Sequence, residues 1–285
     1  MATLRQLYFE FTKLENKYLR RVVIRELLKA NNGIISDLDF YRRIDEECAD
    51  ENKLRKEIEL AKNGYPYQYI LSFSDFLGYR IKVNKNVLIP RQETEQLALS
   101  TKLMVQKYFP NINNLKMIDV CTGSGVLATY LKLNFPNADV YAGDIDDKCL
   151  EVAKSNAEQY KIDIDFRQGN LLEPFKNMKD VHIIIANPPY IEKEEEIDEQ
   201  VYKYEPHLAL IAKPATKFYE EIMIQAESII NKDALIAFEI GEDLAERVSE
   251  LVEKYFPNSA YKIEKDIYGK DRFLFVIIKE DGNYA

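Results

Sequence analysis

The chain has 285 residues, 46% of them hydrophobic, and a formal net charge of −9 with three cysteines and two histidines. That length and apolar content suffice for a large core or two domains, while the acidic balance argues against a protein that grips nucleic acid mainly through phosphates. Cys48, Cys121 and Cys149 form no CxxC pair, and His182 and His207 alone cannot supply a zinc cage or a histidine triad, so catalysis is expected to need neither metal nor histidine.

The N-terminus, "MATLRQLYFEFTKLENKYLRR", carries acidic residues where a signal peptide would be apolar, and the apolar runs are short, so a cytoplasmic protein without a membrane segment is expected. From residue 1 to about 72, "LRQLYFEFTKLEN", "YLRRVVIRELLKA" and "ENKLRKEIELAKNG" repeat apolar residues at spacings of three and four, which predicts a small helical bundle. Lys17, Arg20, Arg21, Arg25 and Lys29 fall on one expected helix, where such a basic run reads as a solvated face. Residues 73–92 alternate and turn at Leu77-Gly78, predicting a β-hairpin linker ended by Pro90.

From about 93 to 285 the pattern changes to strands alternating with helices: "LKMIDV", "DVYAGDI", "IDIDFRQ", "VHIIIAN", "ALIAFEI", "YKIEKDI" and "RFLFVIIK", with helices beginning at Ser124, Asp147 and Glu242. This is an α/β pattern with a mostly parallel, Rossmann-like sheet, and the last two strands, lacking a helix between them, suggest an antiparallel edge. The acidic run "EKEEEIDEQ" (192–200) reads as an exposed loop.

Ligands of such sheets bind beyond the carboxyl ends of the strands. There, Cys121-Thr122-Gly123-Ser124-Gly125 follows the first strand and Asp144 ends the second. The turn lacks both the third glycine of a dinucleotide motif, Ala128 standing in its place, and the lysine of a triphosphate loop. A nucleoside ligand without phosphates fits better, and S-adenosyl-L-methionine is one whose sulfonium suits an acidic pocket. Asp144 can accept from both ribose hydroxyls, or it can cap the helix near Asp147. Asn170 and Leu171, past the third strand, offer an amide and an apolar face to an adenine.

The fully apolar fourth strand runs into Asn187-Pro188-Pro189-Tyr190. Asn187, ahead of a proline, is held extended, and the proline carbonyls accept hydrogen bonds without a local N–H competing. Tyr190 adds a flat surface. Together they suit a planar group bearing an NH2, whose delocalised lone pair needs positioning and hydrogen bonding at nitrogen to attack a methyl group.

With the glycine turn, Asp144 and NPPY in this order, the chain resembles amino-directed S-adenosylmethionine methyltransferases, and more closely the release-factor glutamine methyltransferase family (PrmC/HemK). The resemblance extends over "GYPYQYI" (64–70), "FLGYRIKV" (76–83), "IPRQETE" (89–95), "DVCTGSG" (119–125), "NPPYI" (187–191), "EPHLAL" (205–210), "EIG" (239–241) and "YGKDR" (268–272). It implies methylation of the side-chain amide of the glutamine in the GGQ tripeptide of peptide chain release factors, with S-adenosyl-L-homocysteine as product. The residues it implies are Cys121 to Gly125, Asp144, Asn170, Leu171 and Asn187 for the cofactor and Asn187 to Tyr190 for the substrate, with Asn187, Pro188 and Tyr190 catalytic. Cys121 stands where the family often has glycine, and Asn170 where it often has aspartate. The helical segment would dock the protein substrate or simply cap the sheet, and Arg91, Glu93 and Glu95 would order the cleft or make structural ion pairs. His207 is expected to be a loop residue. A monomer without a metal or nucleic-acid partner is expected; the rival acceptors are a ribosomal-protein glutamine and the adenine amino group of DNA.

Overall fold

A computed structural model of the chain describes residues 2–112, 114–280 and 282. It divides into two compact units, Met1–Phe73 with Glu199–Tyr204, and Ser74–Asp198 with Glu205–Ala285.

The first unit contains α1 (Leu4–Thr12), α2 (Arg21–Asn31), α3 (Asp37–Arg42), α4 (Glu51–Lys62) and α5 (Tyr67–Leu71). Thr3, Ser36 and Asp50 each accept a backbone N–H at a helix start, and Thr3 and Gln6 bond reciprocally, so the first turns of α1, α3 and α4 are capped by the side chains that precede them. Leu7, Phe11, Ile24, Leu28, Phe40 and Ile58 are buried together from four helices. The expected single basic helix is not what forms. α2 begins at Arg21, so Lys17 and Arg20 lie ahead of it. Much of the charge is paired within the unit: Lys17 with Glu199, Arg21 with Glu15, Arg25 with Asp37, and Lys29 with Glu26 and Asp37.

The second unit opens with a hairpin of β1 (Phe73–Phe76) and β2 (Tyr79–Lys82), which turns through Leu77 and Gly78, both at positive φ. There follow α6 (Gln92–Tyr108), β3 (Lys116–Val120), α7 (Val126–Asn134), β4 (Asp139–Asp144), α8 (Asp147–Tyr160), β5 (Asp165–Gln168) and β6 (Val181–Ala186). After α9 (Glu199–Tyr204), which belongs to the helical unit, come α10 (Lys217–Ala226), β7 (Ile230–Glu239), α11 (Ala245–Tyr255), β8 (Ala260–Lys265) and β9 (Asp271–Ile278). The sheet order is β5-β4-β3-β6-β7-β9-β8. Five strands are parallel, and β9 lies between β7 and β8, antiparallel to both, so the last two strands make the antiparallel edge that the sequence suggests, with β8 outermost.

Every residue of β6 is buried, as its unbroken apolar run requires of a strand covered on both faces. Ile118, Val120, Ile184, Ala186, Ile236 and Phe238 form one core with Tyr219, Ile222, Val248 and Val252 of α10 and α11. The alternate residues Met117, Ile183, Ile185 and Leu235 are buried too. α7 starts at Val126, two residues after the expected Ser124, because Gly125 occupies the left-handed region at φ +75° and a right-handed helix cannot begin before it. α11 likewise starts at Ala245 rather than Glu242.

Candidate active site

The strand register brings the expected site segments together. Val120 pairs with Gly143 on one side and Ala186 on the other, Asp144 pairs with Gln168, and Ala186 pairs with Phe238. Parallel strands in register end at one edge, so the residues that follow them converge there. A cleft of about 1040 Å³, counting its open mouth, is lined by Cys121, Thr122, Gly123, Ser124, Asp144, Asn170, Leu171, Asn187 and Pro189 among others. Three expected residues lie off this wall. Gly125 packs against α8, where a Cβ would come within 2.8 Å of Ala153 Cβ, so it shapes the turn. Pro188 is buried, and Tyr190 lines a separate polar depression beside Gly241 and Arg272.

Asp144 is not the helix cap. Asp146 fills that position, accepting from Lys148 N at 2.9 Å. Asp144 accepts instead from Gly123 N at 2.9 Å and Asp146 N at 3.1 Å, one bond per oxygen, which leaves lone pairs on both. Burial pushes its carboxyl pKa up against these bonds. At Gly123 nothing lies within 4 Å of where a Cβ would stand, so the turn offers open space and backbone to a ligand. Cys121 and Leu171, at φ +58° and +51°, hold left-handed conformations that an L side chain rarely adopts. Glycine at position 121, common in the family the sequence resembles, would relieve the first. Burial raises the thiol pKa of Cys121 and takes that of Cys149 up to about 12, so the sulfurs in the cleft wall stay protonated.

Several polar residues that frame the site carry no signal on their own. Asp119, fully buried in β3, accepts from Thr122 Oγ1 at 2.5 Å and Ala128 N at 3.0 Å, bracing the turn, while its Oδ1 has no partner. Burial pushes this carboxyl up to about 7. Asn156 of α8 donates to Lys82 O and Ser124 O and accepts from Lys82 N, tying the hairpin to the glycine turn. Glu205 accepts from Ile89 N at 3.0 Å and Arg91 at 2.6 Å, and Glu95 accepts from Leu77 N, so Arg91 and Glu95 both act structurally. Thr94, between them, donates to Glu239 at 2.7 Å and accepts from Asn187 Nδ2 at 3.1 Å. Tyr190 also donates to Glu239, at 3.3 Å. A glutamate closing the apolar run "ALIAFE" is the one hint the sequence contains. His207 sits in a single 3-10 turn whose neighbours Leu208 and Ala209 line the cleft. Among the described residues no group of His, Cys, Asp and Glu is arranged to hold a metal ion, and no helix is long and apolar enough to cross a membrane.

The cleft can therefore hold a ligand with a polyhydroxylated edge at Asp144, apolar bulk against Leu171, and a reacting end at Asn187. Residues 94–204 match the Methyltransferase small domain family. Three curated relatives are each named release factor glutamine methyltransferase. That of Flavobacterium psychrophilum is 40% identical over 75% of this chain and 76% of its own. That of Bacillus subtilis is 36% identical over 80% and 81%, and that of Lactococcus lactis subsp. lactis 34% identical over 92% and 95%. Two solved structures share the fold. The hMettl16 catalytic domain has a TM-score of 0.53 and 14% identity, covering 80% of this chain and 82% of that one. A methyltransferase from Pyrococcus furiosus has a TM-score of 0.50 and 17% identity, covering 71% and 90%.

Proposed function

The chain belongs to the release factor glutamine methyltransferase family, and we propose from that premise that it methylates the side-chain amide nitrogen of the glutamine in the GGQ motif of peptide chain release factors. The observation that carries this reading is the meeting of Asn187 with the Asp144 cleft at one edge of the sheet. S-adenosyl-L-methionine, when bound, supplies a methyl group on a sulfonium, a leaving group that needs no metal. The donor set fits it: carboxylate lone pairs at Asp144 for ribose hydroxyls, open backbone at Gly123, apolar surface at Leu171 and an amide at Asn170 for an adenine.

In this reading Asn187 Oδ1 and the Pro188 carbonyl each accept one N–H of the substrate amide. Both bonds strengthen as positive charge develops on nitrogen, and both hold the amide plane so that its lone pair points at the methyl group. The surplus proton leaves nitrogen for solvent at the open mouth of the cleft after transfer. Tyr190, with its hydroxyl turned to Glu239, backs the segment from outside the cleft wall.

The test is transfer from methyl-labelled S-adenosylmethionine to intact release factor, ribosomal protein or DNA, with the product mapped by tandem mass spectrometry. One methyl on the GGQ glutamine is expected. Label on backbone, lysine, ribosomal protein or adenine instead overturns the assignment.

A further inference from the structure

Glu239 is a charged residue at the end of a strand whose last six residues are all buried. Its two oxygens accept two hydroxyl protons, Oε2 from Thr94 and Oε1 from Tyr190. Thr94 Oγ1 also contacts the Asn187 amide at 3.1 Å. A threonine hydroxyl has one proton and two lone pairs. With the proton committed to a carboxylate, only lone pairs remain for Asn187, and the end of the amide that meets them must be the NH2. The oxygen is then the end of the amide that this chain of bonds leaves uncommitted at the cleft, which Thr94 and Asn187 both line. The two ends of an asparagine amide are nearly the same size, so packing alone cannot choose between them, whereas this hydrogen-bond chain does.

We propose that Glu239, acting through Thr94, is the positioning residue that fixes the polarity of the Asn187 amide, presenting its oxygen rather than its NH2 to the substrate's amino group. The proposal rests on the reading of Asn187 as an acceptor for a glutamine amide. A reversed Asn187 would set donor against donor at the reacting nitrogen. The same carboxylate holds the Tyr190 hydroxyl, so one buried group anchors both ends of the NPPY segment. The register explains how it comes to be there: Ala186 pairs with Phe238, and one residue further along Asn187 and Glu239 lie on neighbouring strand ends.

The experiment is a double-mutant cycle on the full-length enzyme with intact release factor, using Thr94→Val, Asn187→Ala and the double variant. Thr94→Val removes the hydroxyl at nearly constant volume. It should lower kcat about 10- to 30-fold while the KM for release factor and the calorimetric Kd for S-adenosylmethionine stay within about twofold. In the Asn187→Ala background the same change should cost less than about twofold, because the amide it orients is gone. Thr94→Ser, which returns the hydroxyl, should recover most of the lost kcat. Should the valine variant fail to fold, Thr94→Ala enters the same cycle. Wild-type kcat in the variant lacking the hydroxyl, or losses that multiply in the double variant, overturn the positioning role while leaving the functional reading intact. A wild type that leaves release factor unmodified overturns that reading, and this proposal with it.

Discussion

In the proposed function Asn187 and Asp144 divide the chemistry between them, and substitution should separate the two parts. On that reading Asn187→Ala removes a hydrogen bond that strengthens in the transition state, so single-turnover rates should fall roughly a hundredfold to a thousandfold, about 2.7 to 4 kcal/mol. Cofactor affinity by calorimetry should be largely kept. Asp144→Ala should do the reverse, weakening S-adenosylmethionine by about 1.5 to 3 kcal/mol as bonds to a charged acceptor are lost, with circular dichroism unchanged. Glu239 adds a pH dependence. Burial takes its carboxyl up to about 7 against the opposing effects of Thr94, Tyr190 and Arg272, with Glu93 reinforcing the rise. Tyr219, donating to the Glu239 carbonyl, packs beside it. A raised carboxylate favours the protonated form in the folded state, so its penalty is absent below the unfolded value of 4.5, grows as pH rises, and is complete above about 7. Glu239→Gln should therefore gain stability relative to wild type as pH rises from 4.5 to about 7, by at most about 1.4 kcal/mol per pH unit, and hold that gain above it, measured by urea unfolding. Wild-type kcat should fall on the acid side of neutrality, where the protonated carboxyl no longer requires both hydroxyls to donate. A flat kcat profile would count against an ionised Glu239 as the working form.

Between elements, the hairpin and α8 act as a frame for the glycine turn. Arg80 N donates to Tyr160 Oη at 2.7 Å and Gln159 donates to Arg80 O at 2.7 Å, while Asn156 bridges β2 to Ser124 O. Asn156 is fully buried, so its truncation would strand two carbonyls and an N–H away from water. Asn156→Ala is expected to cost about 2 to 4 kcal/mol of stability by chemical denaturation. It should also weaken the cofactor, because Ser124 is part of the cleft wall. Retained stability would mean that the hairpin is held to α8 chiefly by Tyr160 and Gln159.

At the scale of the whole molecule, the chain that leaves NPPY runs through the acidic loop into α9, which belongs to the helical unit. Lys17 and Tyr18 contact Glu199 there, and Gln200 donates to Gly64 O at 2.6 Å. The NPPY segment is thus continuous in sequence with a piece of the unit expected either to dock the protein substrate or to cap the sheet. In the proposed function NPPY grips only one amide, too few atoms for strong affinity, so most of the binding energy for a protein acceptor must come from a wider surface. Intact release factor should accordingly show a kcat/KM many times that of a short peptide carrying GGQ. Equal values for the two would confine recognition to the cleft.

The sequence alone was enough for the strand and helix alternation, because periodicity and turn residues are local properties, and for the expectation that the loops after the strands meet, because a parallel sheet gathers its carboxyl-end loops at one edge. The resemblance of eight short segments to one family was legible for the same reason: Cys121 to Gly125, Asp144 and Asn187 to Tyr190 occupy strand ends that can be found by reading along the chain. What those segments do to one another was not legible. Thr94 and Glu239 are 145 positions apart, and they meet because α6 packs against β7, whose neighbour β6 carries Asn187 at its end. The pairing of Lys17 with Glu199 spans 182 positions, and the choice of Asp146 over Asp144 as helix cap turns on where one chain reversal falls. Long-range polar contacts are set by register and strand order, which hydrophobic patterning constrains only to a face, so the orientation of a single amide was decided by the tertiary structure.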